Sequence, residues 1–200
     1  MALVTVTVAA GDGDYYTLDE AFDNALTGDD IEIQGAWDVD DTRVAICAVD
    51  CQVTATGTAR HAGVYDTTAE HYRLVNSTSS NAITLNGAYT VTIDGLVVEQ
   101  AGASESTEGL RCGVTDGDSC TITNTIFHGG AGTGTKQDGI HATDSGGAFG
   151  ELTVENCIFT GWQRAGIYSY AASTAGTINI NSCMFAGLHR ERNSGNDIRG

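Results

Sequence analysis

Proline is absent from these 200 residues, and lysine occurs once, at Lys136. No Pro-rich linker, low-complexity tract or composition break divides the chain, which predicts a single domain over residues 1–200. Basic side chains are scarce as a whole: 9 Lys plus Arg stand against 26 Asp plus Glu, a formal net charge of −17. A polyanion would be repelled by that surface, which excludes nucleic acid and anionic membrane surfaces as partners. No run approaches the ~18 apolar residues of a membrane span, so no membrane insertion is expected. The amino terminus, Met1 to Val8, has no basic n-region and alternates apolar residues with Thr, which reads as a strand and not as a signal peptide.

What the sequence does contain is repetition. Ala82-Ile83, Gly109-Leu110, Gly139-Ile140 and Gly166-Ile167 each open a copy of one short pattern, and Asp197-Ile198 opens an unfinished fifth. The opening aliphatics lie 27, 30, 27 and 31 residues apart, a period that signifies a solenoid. Each copy reaches a second apolar pair, Val91/Ile93, Cys120/Ile122, Leu152/Val154 and Ile178/Ile180. Three copies close on Asn124-Thr-Ile-Phe127, Asn156-Cys-Ile-Phe159 and Ser182-Cys-Met-Phe185. Within the copies apolar residues recur at every second position in runs too short for helices, so each copy consists of short strands. Gly, Ser, Asn, Thr and Asp between the runs supply the turns. The pattern predicts an all-β protein, a parallel β-helix whose coils stack about 4.8 Å apart.

Residues 82–187 resemble the right-handed parallel β-helix family of the pectate-lyase type, through phrases such as Thr121-Ile-Thr-Asn-Thr-Ile-Phe127 and Leu152-Thr-Val-Glu-Asn-Cys-Ile-Phe159. Tyr16 to Phe22 followed by Gly28 to Ile33 is similar to the capping helix and first strand of that family, and Arg60 to Tyr65 and Tyr72 to Val75 also resemble it. The resemblance implies a single-stranded right-handed solenoid of about seven coils with a short N-terminal capping helix. Residues 1–30 would form the N-terminal strand and cap, 31–81 the first, irregular coils, and 82–200 the regular coils, the last incomplete. Thr17 to Leu26 places Leu18, Ala21, Phe22, Ala25 and Leu26 on one helical face, able to cover the unpaired edges of the first coil.

The six cysteines follow the repeat. Cys157 and Cys183 occupy one place in successive copies, where Thr125 and Leu96 stand earlier. Cys112 and Cys120 have inward parity, and all four are expected to be reduced, small core residues. Cys47 and Cys51, four apart, either pair or belong to the core. Zinc is not indicated, because no His pair stands at the required spacing.

Strand alternation sends one column outward: Thr84, Arg111, His141, Tyr168 and Arg199. If the protein is an enzyme, Arg111, His141, Tyr168 and Asp138 are its catalytic candidates, Arg neutralising a uronate carboxylate and His or Tyr moving a proton. Asp116 and Asp144 are further acids nearby, and paired carboxylates could serve a hydrolase or hold Ca²⁺, the one cofactor left open. As a glycan-binding face the candidates are Trp162, Tyr168, Tyr170 and Arg111, with Trp37 also expected at the surface. His128 and His189 are expected to face solvent at turns. Gly129 to Gly134 reads as a turn, since no helix follows to hold a phosphate. The phenylalanines and the Asn124, Asn156, Ser182 series read as an inward stack and a turn ladder.

Departures from the enzymes of the resembled family weigh against catalysis. Their Arg near a Pro and clustered Asp ligands are missing, as is the polygalacturonase-like set of Asn-Thr-Asp, Asp-Asp, Gly-His-Gly and Arg-Ile-Lys on the repeated strands. The leaderless start and these gaps favour a non-enzymatic structural or receptor- or glycan-binding component of a phage-like virion: a tail spike, fibre or head decoration. Its partners would be copies of itself, as a trimer, other virion proteins, or a surface polysaccharide. The alternatives are a secreted polysaccharide lyase or hydrolase acting on acidic polysaccharide, and a fragment of a bacterial surface adhesin.

Overall fold

A computed structural model describes residues 2–8, 13–87, 89–102, 107–130, 137–143, 149–170, 176–187 and 196–198, without the side chains of Asn86, Tyr170 and 196–198. Asp144, His189, Arg199, most of the Gly129–Gly134 turn and the Tyr170 ring lie outside the described residues.

The chain begins with β1 (Leu3–Val6), α1 (Leu18–Asn24), β2 (Asp29–Ile33), β3 (Ala45–Cys47), β4 (Cys51–Ala55) and β5 (Arg73–Asn76). Regular strands follow: β6 (Ile83–Gly87), β7 (Val91–Asp94), β8 (Val97–Gln100), β9 (Glu108–Val114), β10 (Ser119–Thr123), β11 (Ile126–Gly129) and β12 (Asp138–Thr143). The last are β13 (Glu151–Glu155), β14 (Ile158–Thr160), β15 (Ala165–Tyr170), β16 (Thr177–Asn181), β17 (Met184–Ala186) and β18 (Asn196–Ile198). They form three sheets, ordered β1-β2-β4-β7-β10-β13-β16, β5-β8-β11-β14-β17 and β3-β6-β9-β12-β15-β18. From β4 onward the chain visits the first, second and third sheets in strict rotation, and from β6 to β17 each strand pairs in parallel with the one laid down a visit earlier. That order is what a solenoid requires.

Register turns the repeats into columns. Leu74, Val98, Phe127, Phe159 and Phe185 are successive neighbours in the second sheet, and the three rings stack at 5.1 and 4.9 Å. Facing them is the column Gly109, Gly139, Gly166. A Cβ on Gly139 would lie 2.5 Å from the carbonyl oxygen of Gly166 and 2.6 Å from the Phe159 ring. The strand-opening glycine is therefore the space into which each phenylalanine packs.

Between the first and second sheets, Asn124, Asn156 and Ser182 adopt φ of 48°, 52° and 53°, a left-handed turn that Asn tolerates better than most residues. Asn156 Nδ2 donates to Asn124 Oδ1 at 2.6 Å and Asn124 Nδ2 to Asp94 at 2.5 Å, the predicted ladder.

Helix α1 is capped twice. Thr17 Oγ1 accepts from Glu20 N, and the buried Asp41 carboxylate accepts from Leu18 N and from the Tyr72 hydroxyl, each at 2.8 Å. Leu18, Ala21, Phe22 and Ala25 are buried as expected, but Leu26 is 71% exposed. The helix stops at Asn24 and Ala25 is extended, so the helical period no longer carries Leu26 to the buried face.

Two further expectations are corrected. Strand β18 runs antiparallel to β15, so Asp197 and not Arg199 lies opposite Tyr168. His128 does not face solvent freely. Tyr65 stacks on its ring at 3.9 Å, and its Nδ1 lies 2.8 Å from Thr160 Oγ1. Tyr65 belongs to the connection from β4 to β5, which crosses the outer side of the second sheet and bonds Arg60 to Asp94, His61 to Asn124 and Tyr65 to Glu99.

Candidate functional site

The outer face of the third sheet brings together the residues singled out in the sequence. Thr84, Arg111, His141 and Tyr168 are register neighbours on β6, β9, β12 and β15, as alternation predicted. A second column runs beside it, with Glu108 paired to Asp138 and Asp138 to Ala165. Strand spacing of about 4.8 Å stacks the two carboxylates in successive rounds.

Arg111 is exposed and His141 is half-buried, but the rest of the cluster around them is closed. Asp138 has no exposed surface, and Glu108, Arg164 and Tyr168 are 3%, 8% and 8% exposed. Arg164 Nε donates to both Asp138 oxygens at 2.9 and 3.1 Å, and its Nη2 also donates to Oδ2. The same guanidinium lies 3.7 Å above the Tyr168 ring, a cation–π contact. His141 Nδ1 is 3.1 Å from Glu108 Oε1, and its ring meets Tyr168 edge-on at 5.1 Å. Glu108 Oε2 and His141 Nε2 are buried with no hydrogen-bond partner among the described residues.

Burial pushes the Asp138 carboxyl up to about 6, against the lowering pull of Arg164. Burial also opposes the charge on Arg164, but Asp138, with Tyr168 and Glu108 adding to it, holds the guanidinium above its ordinary value. A carboxyl whose folded pKa exceeds its unfolded value of about 3.9 contributes stability that is fully present below that value and is lost as pH rises through about 6. Relative to Asp138→Asn, the wild type should therefore lose on the order of 3 kcal/mol between about pH 4 and 6. Urea denaturation of both proteins across that window checks this, and parallel pH profiles would contradict it.

Ligand atoms of Glu108, Asp138 and His141 lie within 4.8 Å of one another, so among the described residues these three would be the donors for a cation held there. The Arg164 guanidinium already occupies both Asp138 oxygens, and a cation would have to compete with it. What the cluster can do unaided is hold two buried charges in fixed geometry and keep an imidazole against a carboxylate.

Trp162 is wholly buried, its indole N–H donating to the Phe127 carbonyl at 3.1 Å, so its ring offers no glycan surface. Trp37 is likewise buried, edge-on to Tyr72 at 4.8 Å. Tyr168 is covered by Arg164. Of the expected glycan-binding set, Arg111 is the one whose described side chain stands in solvent. Glu108 and Arg164 were not singled out in the sequence. Glu108 carried a signal, since it precedes Gly109 as Asp138 precedes Gly139. Arg164 lies in a turn outside the repeat and carried none.

A concavity of about 420 Å³ lies along the turn ladder and is lined by Arg60, His61, Asn124, Asn156, Ser182 and Met184 among others. Amides and a hydroxyl form one wall, and Ile158 and the half-exposed Met184 supply apolar surface.

No protein-family model matches the chain, and neither a curated protein nor a solved structure matches it. Among the described residues, no helix is long and apolar enough to cross a membrane.

Proposed function

We propose that the chain is a right-handed parallel β-helix of the pectate-lyase-like type, capped by α1, that serves as a non-enzymatic structural or glycan-binding part of a phage-like particle. Seven strands in the first sheet support a count of seven coils, and the general right-handedness of parallel crossovers supports the hand. The observation that carries the non-catalytic reading is the burial of Asp138 beneath Arg164. The acid of the expected catalytic set already has its cation and presents no surface to a substrate. Arg111 and the amide-lined groove beside the turn ladder are the surfaces on which an acidic or neutral glycan would be held. The net charge of −17 keeps nucleic acid away.

The contact between His141 and Glu108 favours one competing reading, a lyase or hydrolase with an imidazole base. An activity screen on anionic polysaccharides separates the two. The structural reading expects no release of unsaturated or reducing ends, and a trimer by mass in solution. Turnover that His141→Ala or Arg111→Ala abolishes would replace it with the enzyme.

A further inference from the structure

Four of the six cysteines occupy one corner of the fold. In the third sheet Cys47, Leu85, Cys112 and Ala142 form a single inward column. In the first sheet, directly across the turn, Cys51, Val91, Cys120 and Leu152 form another. Leu85 and Val91 are both buried in the core in the round between the two cysteine rounds. Cysteine therefore appears in both columns at once, in two rounds, and the thiols of each round face each other. Cys47 Sγ and Cys51 Sγ are 3.5 Å apart, and Cys112 and Cys120 hold the same two register positions two rounds further on. All four side chains are buried and none is bonded to another sulfur.

We propose that these corners are two equivalent disulfide sites, Cys47–Cys51 and Cys112–Cys120, closed by thiol–disulfide exchange with a small disulfide such as oxidised glutathione while the chain folds. Contact at 3.5 Å leaves the sulfurs a short approach to a bond of about 2.05 Å. The turns between the partners, residues 48–50 and 113–119, are short enough to hold the sulfurs together but leave the bond no long loop to close. The bond therefore pins a corner and does little to restrict the unfolded chain.

The exchange balances. The thiolate of one cysteine of the pair attacks one sulfur of oxidised glutathione and a glutathione thiolate leaves. The other thiol then gives its proton to water, attacks the protein sulfur of the mixed disulfide, and expels the second glutathione. The protein loses two hydrogens and two electrons, and both pass to glutathione. The second corner follows the same course. Burial means that the exchange belongs to folding, before the corner closes, and that the finished bond is shielded from reductant.

The test uses the whole chain, refolded from denaturant in a glutathione redox buffer, alkylated, and digested with trypsin without reduction. Cleavage after Arg43, Arg60, Arg111 and Lys136 leaves each pair within one peptide, Val44–Arg60 and Cys112–Lys136. Both peptides are expected unalkylated and two hydrogens lighter than their dithiol forms. Alkylation of both cysteines in either peptide, or a bond joining the two peptides, would overturn the assignment. Cys157→Thr with Cys183→Thr, the residue that Thr125 already places in their column, repeats the measurement with only the four corner thiols present. It must give the same two light peptides.

Discussion

Replacing Asp138 with Ala is expected to lower the unfolding free energy at neutral pH by about 3–5 kcal/mol, because it strands a buried guanidinium. Arg164 is 8% exposed and its guanidinium lies 3.7 Å over the Tyr168 ring, so it cannot swing to water without uncovering the ring. Each hydrogen bond it donates to Asp138 would be lost at once. The variant Asp138→Ala with Arg164→Met should recover most of the loss, since an apolar side chain of similar length fills the site without needing a counter-charge. Urea midpoints for wild type, single and double variants form the measurement. A single-variant loss below about 1 kcal/mol, the range of an exposed pair, would show that the guanidinium reaches solvent and that the site is not sealed.

Phe159→Ala should be as costly, about 3–5 kcal/mol. Its ring has no exposed surface and is held between Phe127 and Phe185, nearly parallel to both, with Gly139 beneath it. Truncation removes ring contacts on two sides at once. The flanking rings cannot collapse into the gap, because backbone hydrogen bonds on both sides fix the spacing of their strands. Thr153→Ala, on the outward side of β13, serves as the contrast and should change stability by no more than about 0.5 kcal/mol. Comparable losses for the two variants in denaturant titrations would mean that the stacked rings are not the spine of the core.

Much of the fold could be read in advance because the repeat couples a local pattern to a global one. The alternation in Cys120-Thr-Ile122 and Leu152-Thr-Val154 shows which side chains point inward, and the period shows which lie over each other. The Phe stack, the Asn ladder and the Arg111, His141, Tyr168 column follow from those two facts alone. Burial by neighbouring turns was not legible. Trp162 and Trp37 sit in polar, turn-like surroundings in the sequence, yet both indoles turn inward and donate to backbone carbonyls. His128 is covered by a connection that departs from the chain more than 60 residues earlier, between β4 and β5. Arg164 shares this reason, since its partner is fixed by the stacking of rounds and not by any spacing along the chain. The direction of β18 eluded the pattern as well, because an apolar residue in a short segment looks the same read either way.

Strict rotation among three ladders also has a mechanical consequence. Among the described residues each strand of the rounds is paired with its neighbours in its own sheet, so tension drawn along the stack cannot be shared across the whole molecule. It falls on one interface at a time. Such an object peels in increments, each releasing roughly one repeat of contour, and the weakest round sets the first yield. The stacked phenylalanines from β11 to β17 would act there as a run of rivets, confining the earliest rupture to the less regular rounds laid down before residue 82.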